Sequence, residues 1–329
     1  MRLSTTKWGF IGCGNVTENK SGPAFNIIEN SQIVAVMCRN KNRAEKYARQ
    51  RNIARWYDDA LELIDDKEVN AVYIATPPST HATYAIMALK AGKPVYIEKP
   101  MAANYEDCLR INRVSEETGI PCFVAYYRRY LPYFLKVKEL IKENTIGKIG
   151  SIQIRLIRKA ETEQPYTPDN LPWRLDPEIA GGGYFYDLAP HQIDILQDIF
   201  GYILEAQGYR NNVAGLYSAE DTVSASFQFE NGISGTGSWS FAAHTSAEED
   251  SIHIIGTNGT IKFSTFEFSP IEVYTDNGVE TINPENPEHI QQPLIQAVVD
   301  DLRGIAPCSS TGESATATNW VLDRILGKL

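Results

Sequence analysis

The chain has 329 residues, of which 31 are Lys or Arg and 41 are Asp or Glu, so its formal net charge is −10. This acidic balance argues against nucleic-acid binding, and no apolar run approaches the roughly 20 residues of a membrane-spanning helix. The five cysteines form no Cys-x-x-Cys pair, and residues 1–7 lack the apolar stretch of a secretory signal. We therefore expect a cytoplasmic protein with reduced thiols, and the length suggests about two domains.

The first 125 residues alternate short apolar runs with helical patterns. Strands are expected over residues 7–12, 32–38, 71–75, 94–98 and 122–126, and helices over residues 15–29, 43–51, 60–64, 81–91 and 105–118. Near-continuous apolar runs, such as IVAVM at residues 33–37, are typical of parallel strands that are buried on both faces. Repeated βα units with right-handed crossovers predict a doubly wound Rossmann domain over residues 1–125.

The pattern changes after residue 126. A helix is expected over residues 131–143, and most of residues 148–280 alternates polar and apolar positions between tight turns such as Asn231-Gly232. One helical segment interrupts this region at residues 184–200, and two more, residues 293–302 and 314–326, close the chain. Consecutive strands joined by tight turns predict an antiparallel sheet. The fold class is therefore α/β, with residues 126–329 forming an α+β domain around a large, mostly antiparallel open sheet.

A glycine-rich turn follows the first predicted strand. The motif GCGNV at residues 12–16 lets backbone N–H groups approach a pyrophosphate at the start of the next helix. Gly12, Gly14, Asn15 and Val16 are the expected dinucleotide-binding residues, although Thr17 replaces the third glycine of the usual fingerprint. The alternative is a purely structural glycine turn.

The end of the second predicted strand bears on the choice of cofactor. NAD-preferring domains usually place Asp or Glu there, but residues 38–43 have the sequence CRNKNR, with three cations and no carboxylate. A 2′-phosphate would find Arg39, with Lys41 or Arg43 as further partners. NADP(H) is therefore favoured over NAD(H), with a solvated basic loop as the alternative interpretation.

Two further loops lie at the edge of the parallel sheet where ligands of such folds bind. Thr76 and Pro77 follow the strand over residues 71–75 and are candidate cofactor contacts. His81 either contacts the cofactor or caps the next helix. Glu98 and Lys99 follow the apolar run of the next strand, and adjacent strand residues point in opposite directions. A charged pair at this position favours a functional role over a surface ion pair, with Lys99 sharing a substrate proton.

A second group of candidate residues lies in the helical segment of the second half. Three glycines at residues 181–183 precede it, and Asp187 and His191 share one helix face because they lie four residues apart. Histidine suits proton transfer near neutral pH, and Asp187 would orient it or bind a substrate hydroxyl. Asp194 extends the same stripe, but no second histidine lies nearby, so no metal site is expected. Pro190 predicts a kink or a helix start just before His191.

In this order, the motifs resemble those of the Gfo/Idh/MocA family, which includes glucose–fructose oxidoreductase and inositol dehydrogenase. The resemblance covers essentially the whole chain and rests on the GCG turn, TPP followed by His81, the block AGKPVYIEKP at residues 91–100, and GGG followed by Asp187 and His191. It implies an NAD(P)-dependent oxidoreductase that transfers hydride between nicotinamide and a secondary alcohol or ketone of a sugar, polyol or related small molecule. The departures from the family pattern are Thr17 and the Ala189-Pro190 pair.

The resemblance also implies roles for individual residues. Lys99 becomes the catalytic lysine, Asp187 a substrate-orienting acid and His191 the proton donor or acceptor, while Glu98 contacts the ribose or nicotinamide side of the cofactor. Further substrate contacts are expected in the neighbouring segments, at Arg128, Trp173 and Arg174, with Arg129 and Tyr166 as weaker candidates. Each of these five residues has a structural role as its alternative.

The resemblance further implies a homodimer or homotetramer formed through the C-terminal sheet. Small polar residues alternate there along residues 222–228 and 234–240, and a substrate wall or a solvated face are the alternative interpretations of this surface. Two other functions stay open. One is an NAD-dependent glycosidase-like relative that oxidises its substrate transiently, and the other is a non-catalytic NADP(H)-binding sensor.

Overall fold

The computed structural model describes residues 2–329 and divides the chain into two compact units. The first unit combines the chain up to Tyr127 with Pro287–Thr316, and the second combines Arg128–Asn286 with Ala317–Leu329. The sequence suggests one boundary near residue 126, whereas the structure returns a C-terminal segment to the first unit. The reason is pairing at the sheet edge: the N–H of Val124 donates to the carbonyl of Ser310 at 3.0 Å.

The first unit is built on a six-stranded parallel sheet with the order β3-β2-β1-β4-β5-β6. Its strands are β1 (Thr6–Ile11), β2 (Ser31–Met37), β3 (Arg55–Tyr57), β4 (Ala71–Ile74), β5 (Val95–Ile97) and β6 (Cys122–Val124). Its helices are α1 (Asn15–Asn19), α2 (Gly22–Ile27), α3 (Lys41–Gln50), α4 (Ala60–Asp65), α5 (His81–Lys90), α6 (Tyr105–Thr118) and α10 (Gln292–Arg303). This topology confirms the predicted doubly wound domain.

The two faces of this sheet have different chemistry, because successive strand residues point to opposite sides. One face is aromatic: Phe10 and Tyr73 pack edge to face at 4.9 Å between ring centroids, and Tyr73 stacks on Tyr96 at 5.3 Å. The other face is aliphatic, with fully buried Val72, Ile74, Val95 and Ile97 among its residues. Burial on both faces explains why these strands have near-continuous apolar sequences.

Two details of the first unit differ from the sequence-based expectation. The helix expected over residues 15–29 is divided into α1 and α2, because the chain turns at Ser21, whose N–H donates to the carbonyl of Val16 at 2.9 Å. A Cβ on Gly22 would lie 2.0 Å from the carbonyl oxygen of Thr17, so a glycine is needed where the two helices meet. The three-residue strand β3 was not expected, since its sequence RWY has no apolar run.

The second unit contains an eight-stranded sheet with the order β14-β13-β12-β11-β7-β10-β9-β8, in which β7 and β10 form the single parallel pair. Its strands are β7 (Ile149–Lys159), β8 (Ile203–Asn211), β9 (Thr222–Phe229), β10 (Ser234–Ala243), β11 (Glu249–Gly256), β12 (Gly259–Phe263), β13 (Ile271–Thr275) and β14 (Gly278–Ile282). Its helices are α7 (Pro132–Lys142), α8 (Pro177–Ala180), α9 (Tyr184–Phe200) and the C-terminal part of α11 (Gly312–Ile325). The large, mostly antiparallel sheet is therefore confirmed.

Helix α9 covers one face of this sheet. Phe185 packs edge to face on Trp239 of β10 with ring centroids 5.0 Å apart, and the Trp239 indole N–H donates to Gln192 at 2.7 Å. The helix continues through Pro190, so a helix start just before His191 is wrong. Burial of most of the helix against its surroundings outweighs the one backbone hydrogen bond that Pro190 removes. No helix within residues 2–329 combines the length and hydropathy that a membrane crossing requires.

Candidate functional site

The glycine-rich turn joins β1 to α1 in the first unit. Gly12 has a φ of +113°, and a Cβ there would lie 2.6 Å from the carbonyl oxygen of Ala75, so the turn requires glycine. A Cβ on Gly14 would meet nothing within 4 Å, which leaves the backbone at the start of α1 open to a ligand. Burial raises the pKa of the Cys13 thiol between them to about 12, so this thiol stays protonated. Asn15 and Val16 begin α1, and the turn fits the pyrophosphate of a dinucleotide.

The third fingerprint position, Thr17, is occupied by a buried side chain. Its hydroxyl donates to the Gly14 carbonyl at 2.9 Å, and its own carbonyl accepts from the Tyr47 hydroxyl at 2.9 Å. Threonine at this position therefore ties the turn to α3.

An exposed basic segment follows β2. Arg39 is exposed, and Asn40 caps α3 by accepting from the N–H of Arg43 at 3.0 Å. Lys41 stacks over the Trp56 ring at 5.6 Å. Arg39 forms no ion pair within the described chain, so its guanidinium is available to an anion at the end of β2.

Glu98 is held by a buried network in the first unit. The Tyr73 hydroxyl donates to the Glu98 carboxylate at 2.5 Å, and the Gln291 amide donates to the same oxygen at 3.2 Å. The Ser21 hydroxyl lies 2.8 Å from the Tyr73 hydroxyl. Burial, followed by the neighbouring Glu98 carboxylate, raises the pKa of Tyr73 well above its usual value, so Tyr73 remains a donor.

His81 connects the two loops at the carboxyl ends of β4 and β5. Its Nε2 lies 2.7 Å from the carbonyl oxygen of Thr76, and its Nδ1 lies 3.1 Å from that of Pro100. Only 1% of the residue is exposed, and burial lowers its pKa. His81 is the first residue of α5, but its ring is used to join Thr76 and the segment after Lys99 rather than to cap the helix.

Lys99 follows Glu98 beyond the end of β5 and is half-buried. Pro77 is also half-buried and lies beside Thr76, whose hydroxyl accepts from Thr80 at 2.7 Å. These positions place Thr76, Pro77 and Lys99 at the carboxyl edge of the parallel sheet, as the sequence predicts.

In the second unit, α9 carries Asp187 in its first turn and His191 one turn later. His191 is 5% exposed, and its ring meets Phe266 edge to face with centroids 5.8 Å apart. Gly183, directly before α9, donates its N–H to the Glu220 carboxylate at 3.0 Å, and a Cβ there would lie 2.8 Å from the Glu220 carbonyl oxygen. The glycine run therefore serves close packing within the unit, which sets the start of α9.

Three predicted substrate contacts lie near this helix. The Arg174 guanidinium is 3.5 Å from the Asp187 carboxylate and stacks on the Trp173 ring at 4.3 Å. Arg128 is 3% exposed, stacks on Phe266 at 4.7 Å and donates from Nε to the carbonyl of Thr265 at 3.0 Å. The structure thus brings Trp173 and Arg174 to Asp187, and brings Arg128 and His191 to the same phenyl ring.

Arg129 and Asp194 have a structural function instead. The Arg129 guanidinium donates to both carboxylate oxygens of Asp194, at 2.8 and 2.6 Å, and both residues are buried. Burial raises the pKa of Asp194, and the Arg129 charge opposes this shift. No group of three or more His, Cys, Asp or Glu residues within positions 2–329 is arranged to hold a metal ion. The weaker candidate Tyr166 is held through its backbone N–H, which donates to the carbonyl of Leu216 at 2.9 Å.

Several residues of this region were not found from the sequence. Tyr73 and Gln291, which hold Glu98, lie 25 and 193 residues away from it, and no local motif marks them. Phe266 and Arg158, whose guanidinium is 5.7 Å from the Phe266 ring centroid, belong to a loop and to a strand end. The sequence marks Arg158 only as a charged residue near the end of β7, where the alternation of polar and apolar residues is interrupted.

The fold and these residues define a dinucleotide-binding oxidoreductase. Residues 6–126 match the family model described as "Oxidoreductase family, NAD-binding Rossmann fold", and residues 134–262 match that of the "GFO/IDH/MocA C-terminal domain". The chain is 40% identical over 326 residues to "Oxidoreductase P35" of Formosa agariphila, covering 98% of this chain and 99% of that protein. It therefore belongs to the GFO/IDH/MocA family, and its first unit is an NAD(P)-binding Rossmann domain.

Two further comparisons extend this result. The scyllo-inositol 2-dehydrogenase (NAD(+)) of Bacillus subtilis is 27% identical over 317 residues, which are 94% of this chain and 87% of that enzyme. The solved structure of a levoglucosan dehydrogenase in complex with NADH and levoglucosan superposes with a TM-score of 0.88 and 22% identity, covering 98% of this chain and 97% of that one. At this identity the structural likeness concerns the fold.

Proposed function

We propose that the protein catalyses the reversible NAD(P)-dependent oxidation of a secondary alcohol in a sugar, polyol or related small molecule. The observation that supports this proposal is that Lys99, Asp187 and His191 are all present in a chain of this family, with Lys99 following β5 and the other two one turn apart on α9. The names of the relatives, which act on scyllo-inositol and levoglucosan, support the substrate class.

The residues divide the reaction between them. The nicotinamide of a bound cofactor supplies the hydride acceptor or donor. His191 accepts the hydroxyl proton during oxidation and returns it during reduction, since imidazole suits proton transfer near neutral pH. Lys99 stabilises the oxygen as negative charge develops on it, and Asp187 accepts a hydrogen bond that orients the substrate. Trp173, Arg174 and Arg128 hold further polar groups of the substrate.

The assignment is tested with Lys99→Met and His191→Gln. Each is expected to lower kcat by at least roughly two orders of magnitude, because general acid–base catalysis contributes about 10²–10⁴-fold. Binding of NADPH, followed by its fluorescence, should persist in both variants. Lys93→Met is the matched control, because Lys93 donates to the Asp66 carbonyl at 2.7 Å and lies outside the proposed machinery. Unchanged turnover in both site variants would refute the assignment.

The same preparation separates the two alternatives. A sensor would bind NADPH and turn over no member of a sugar and polyol panel. A glycosidase-like enzyme would retain cofactor through purification, cleave a glycoside and show no net consumption of the cofactor. The intact catalytic set favours an enzyme over the sensor, and the fate of the cofactor separates the two enzymatic functions.

We propose NADP(H) as the preferred cofactor, with Glu98, His81, Thr76 and Pro77 contributing to its site directly or by positioning. The support is the exposed Arg39 at the end of β2, where no carboxylate is present to accept from a ribose. The dissociation constant for NADPH should be about tenfold or more below that for NADH, and Arg39→Ala should remove most of this difference. Arg49→Ala, which breaks an exposed ion pair with Glu45 at 2.8 Å, is the control. Tighter binding of NADH to the unmodified protein would overturn the preference.

We also propose a homo-oligomer formed through the second-unit sheet, in the cytoplasm. The outer face of β9 and β10 presents paired small polar residues, such as Ser226 beside Thr236, and its breadth suits contact with a second sheet. The buried thiols Cys13 and Cys122 fit a reducing compartment. Sedimentation at micromolar concentration should give a dimer or tetramer, and a monomer would contradict this proposal.

A further inference from the structure

In the second unit, two guanidinium groups lie over one aromatic ring, and one of them belongs to Arg128 of the proposed site. The Cζ atoms of Arg128 and Arg158 lie 4.7 and 5.7 Å from the centroid of Phe266. The same ring meets the proposed proton-transfer residue, His191, at 5.8 Å. The Arg158 charge, half-buried beside an apolar ring and close to a second guanidinium, is in an unfavourable position unless an anion joins it.

The loop that carries Phe266 is held rigidly. The carboxylate of Asp250 accepts the backbone N–H groups of Thr265, Phe266 and Glu267, at distances from 2.6 to 3.1 Å. The Tyr133 hydroxyl adds a hydrogen bond to the carbonyl of Ser269 at 2.6 Å. The ring is therefore set in place before any ligand binds, and so is Arg128, which donates to the Thr265 carbonyl.

Arg158 has unused hydrogen-bonding capacity. Its Nε is buried and has no hydrogen-bond partner within residues 2–329, and its guanidinium forms no ion pair there. Arg155, three positions earlier on β7, shows the contrast: it is exposed and pairs with the Glu249 carboxylate at 2.5 Å. A guanidinium stacked on a ring keeps its N–H edge for a planar bidentate acceptor, and a carboxylate matches that geometry.

We infer that the substrate is a sugar acid, a uronate or aldonate, whose carboxylate binds Arg158 with Arg128 beside Phe266 while its reacting hydroxyl meets His191. This inference rests on the proposed function and specifies its substrate. A six-carbon sugar acid carries a carboxylate and several secondary alcohols on one skeleton, so a single molecule supplies both an anion for Arg158 and a hydroxyl for His191. With a formal net charge of −10, the protein attracts such an anion only through local cations.

The test compares acids with their neutral counterparts: D-glucuronate with D-glucose, and D-gluconate with D-glucitol. The holoenzyme with NADP(H) or NAD(H) is assayed for kcat/KM, and binding of each compound to the cofactor complex is measured by calorimetry. At least one acid should exceed its neutral counterpart by about tenfold or more in kcat/KM, the effect of one charge-assisted contact.

Arg158→Gln should lower the acid-to-neutral ratio of kcat/KM at least about tenfold, and Arg158→Lys should lower it less, since it keeps the charge but loses the bidentate edge. Arg155→Gln, the control on the same strand, should leave the ratio unchanged. If Arg158→Gln does not fold, the lysine variant and the unmodified enzyme still decide the result. A preference for the neutral compounds, or a ratio that does not change in either Arg158 variant, overturns the inference.

The two levels of the proposal fail differently. Turnover of neutral compounds without binding of any acid overturns the sugar-acid inference and leaves the oxidoreductase intact. Binding of an acid that depends on Arg158, without turnover of any compound, supports the acid site and overturns the proposed reaction.

Discussion

Replacing Tyr73 with phenylalanine isolates the hydrogen bond that holds Glu98. The variant removes one oxygen, which donates to the Glu98 carboxylate at 2.5 Å and lies 2.8 Å from the Ser21 hydroxyl, and keeps the ring that packs on Phe10 and Tyr96. Hydrogen bonds to charged groups contribute about 1.5–3 kcal/mol, and Glu98 would keep only the longer bond from Gln291, at 3.2 Å. We therefore expect Tyr73→Phe to lower the free energy of unfolding by about 1.5–3 kcal/mol.

Tyr96→Phe provides a closely matched control. Tyr96 lies on the next strand, stacks on Tyr73 at 5.3 Å and is equally buried, but its hydroxyl has no hydrogen-bond partner among residues 2–329. Removing an unsatisfied buried hydroxyl is neutral or stabilising, by up to about 1 kcal/mol. Urea unfolding of the two variants and of the unmodified protein measures the difference directly.

The same pair of variants tests whether Glu98 serves the cofactor. A Glu98 side chain released by Tyr73→Phe should raise the dissociation constant for NAD(P)H severalfold, while Tyr96→Phe leaves it unchanged. Equal effects of the two substitutions on stability would refute the energetic argument. If Tyr73→Phe is less stable but binds the cofactor as tightly as the unmodified protein, the energetic argument for the hydrogen bond holds. Glu98 then has no role in cofactor binding.

Three further outcomes are expected. Asp194→Ala should destabilise the second unit by about 3–5 kcal/mol in urea unfolding, because it leaves the buried Arg129 charge without its bidentate partner; a change under 1 kcal/mol would contradict this. Because burial lowers the pKa of His81 from 6.5, the unfolded chain binds the extra proton first, so stability is full above pH about 6.5 and falls as the pH decreases below it. His81→Gln should reduce this loss of stability at acid pH. If the free energy of unfolding of the variant falls just as steeply below pH about 6.5, another group causes the loss. Cys13 should resist iodoacetamide at pH 8 in the folded protein, since burial raises its pKa to about 12, and mass spectrometry of the alkylated peptide measures this.

Local patterns were sufficient for most of the fold. Helix α9 has the bounds expected from its sequence, Tyr184–Phe200, because its apolar positions follow the helical period over four turns. Pro190 led to the expectation of a helix start just before His191, which is wrong. A proline indicates the local cost of a lost hydrogen bond and not the burial that offsets this cost. The short strand β3 was not predicted, because it has no apolar run of its own and forms by pairing with β2.

The site shows where local patterns stop being informative. Alternation along β5 places Tyr96 on the aromatic face, Ile97 on the aliphatic face and Glu98 again on the aromatic side, where it meets Tyr73. The opposite directions of Glu98 and Lys99 therefore follow from the sequence. The identity of the remaining partner does not, because Gln291 comes from the segment that returns to the first unit 193 residues later. A carboxylate buried beside tyrosines needs such a donor, and only the tertiary structure says which residue supplies it.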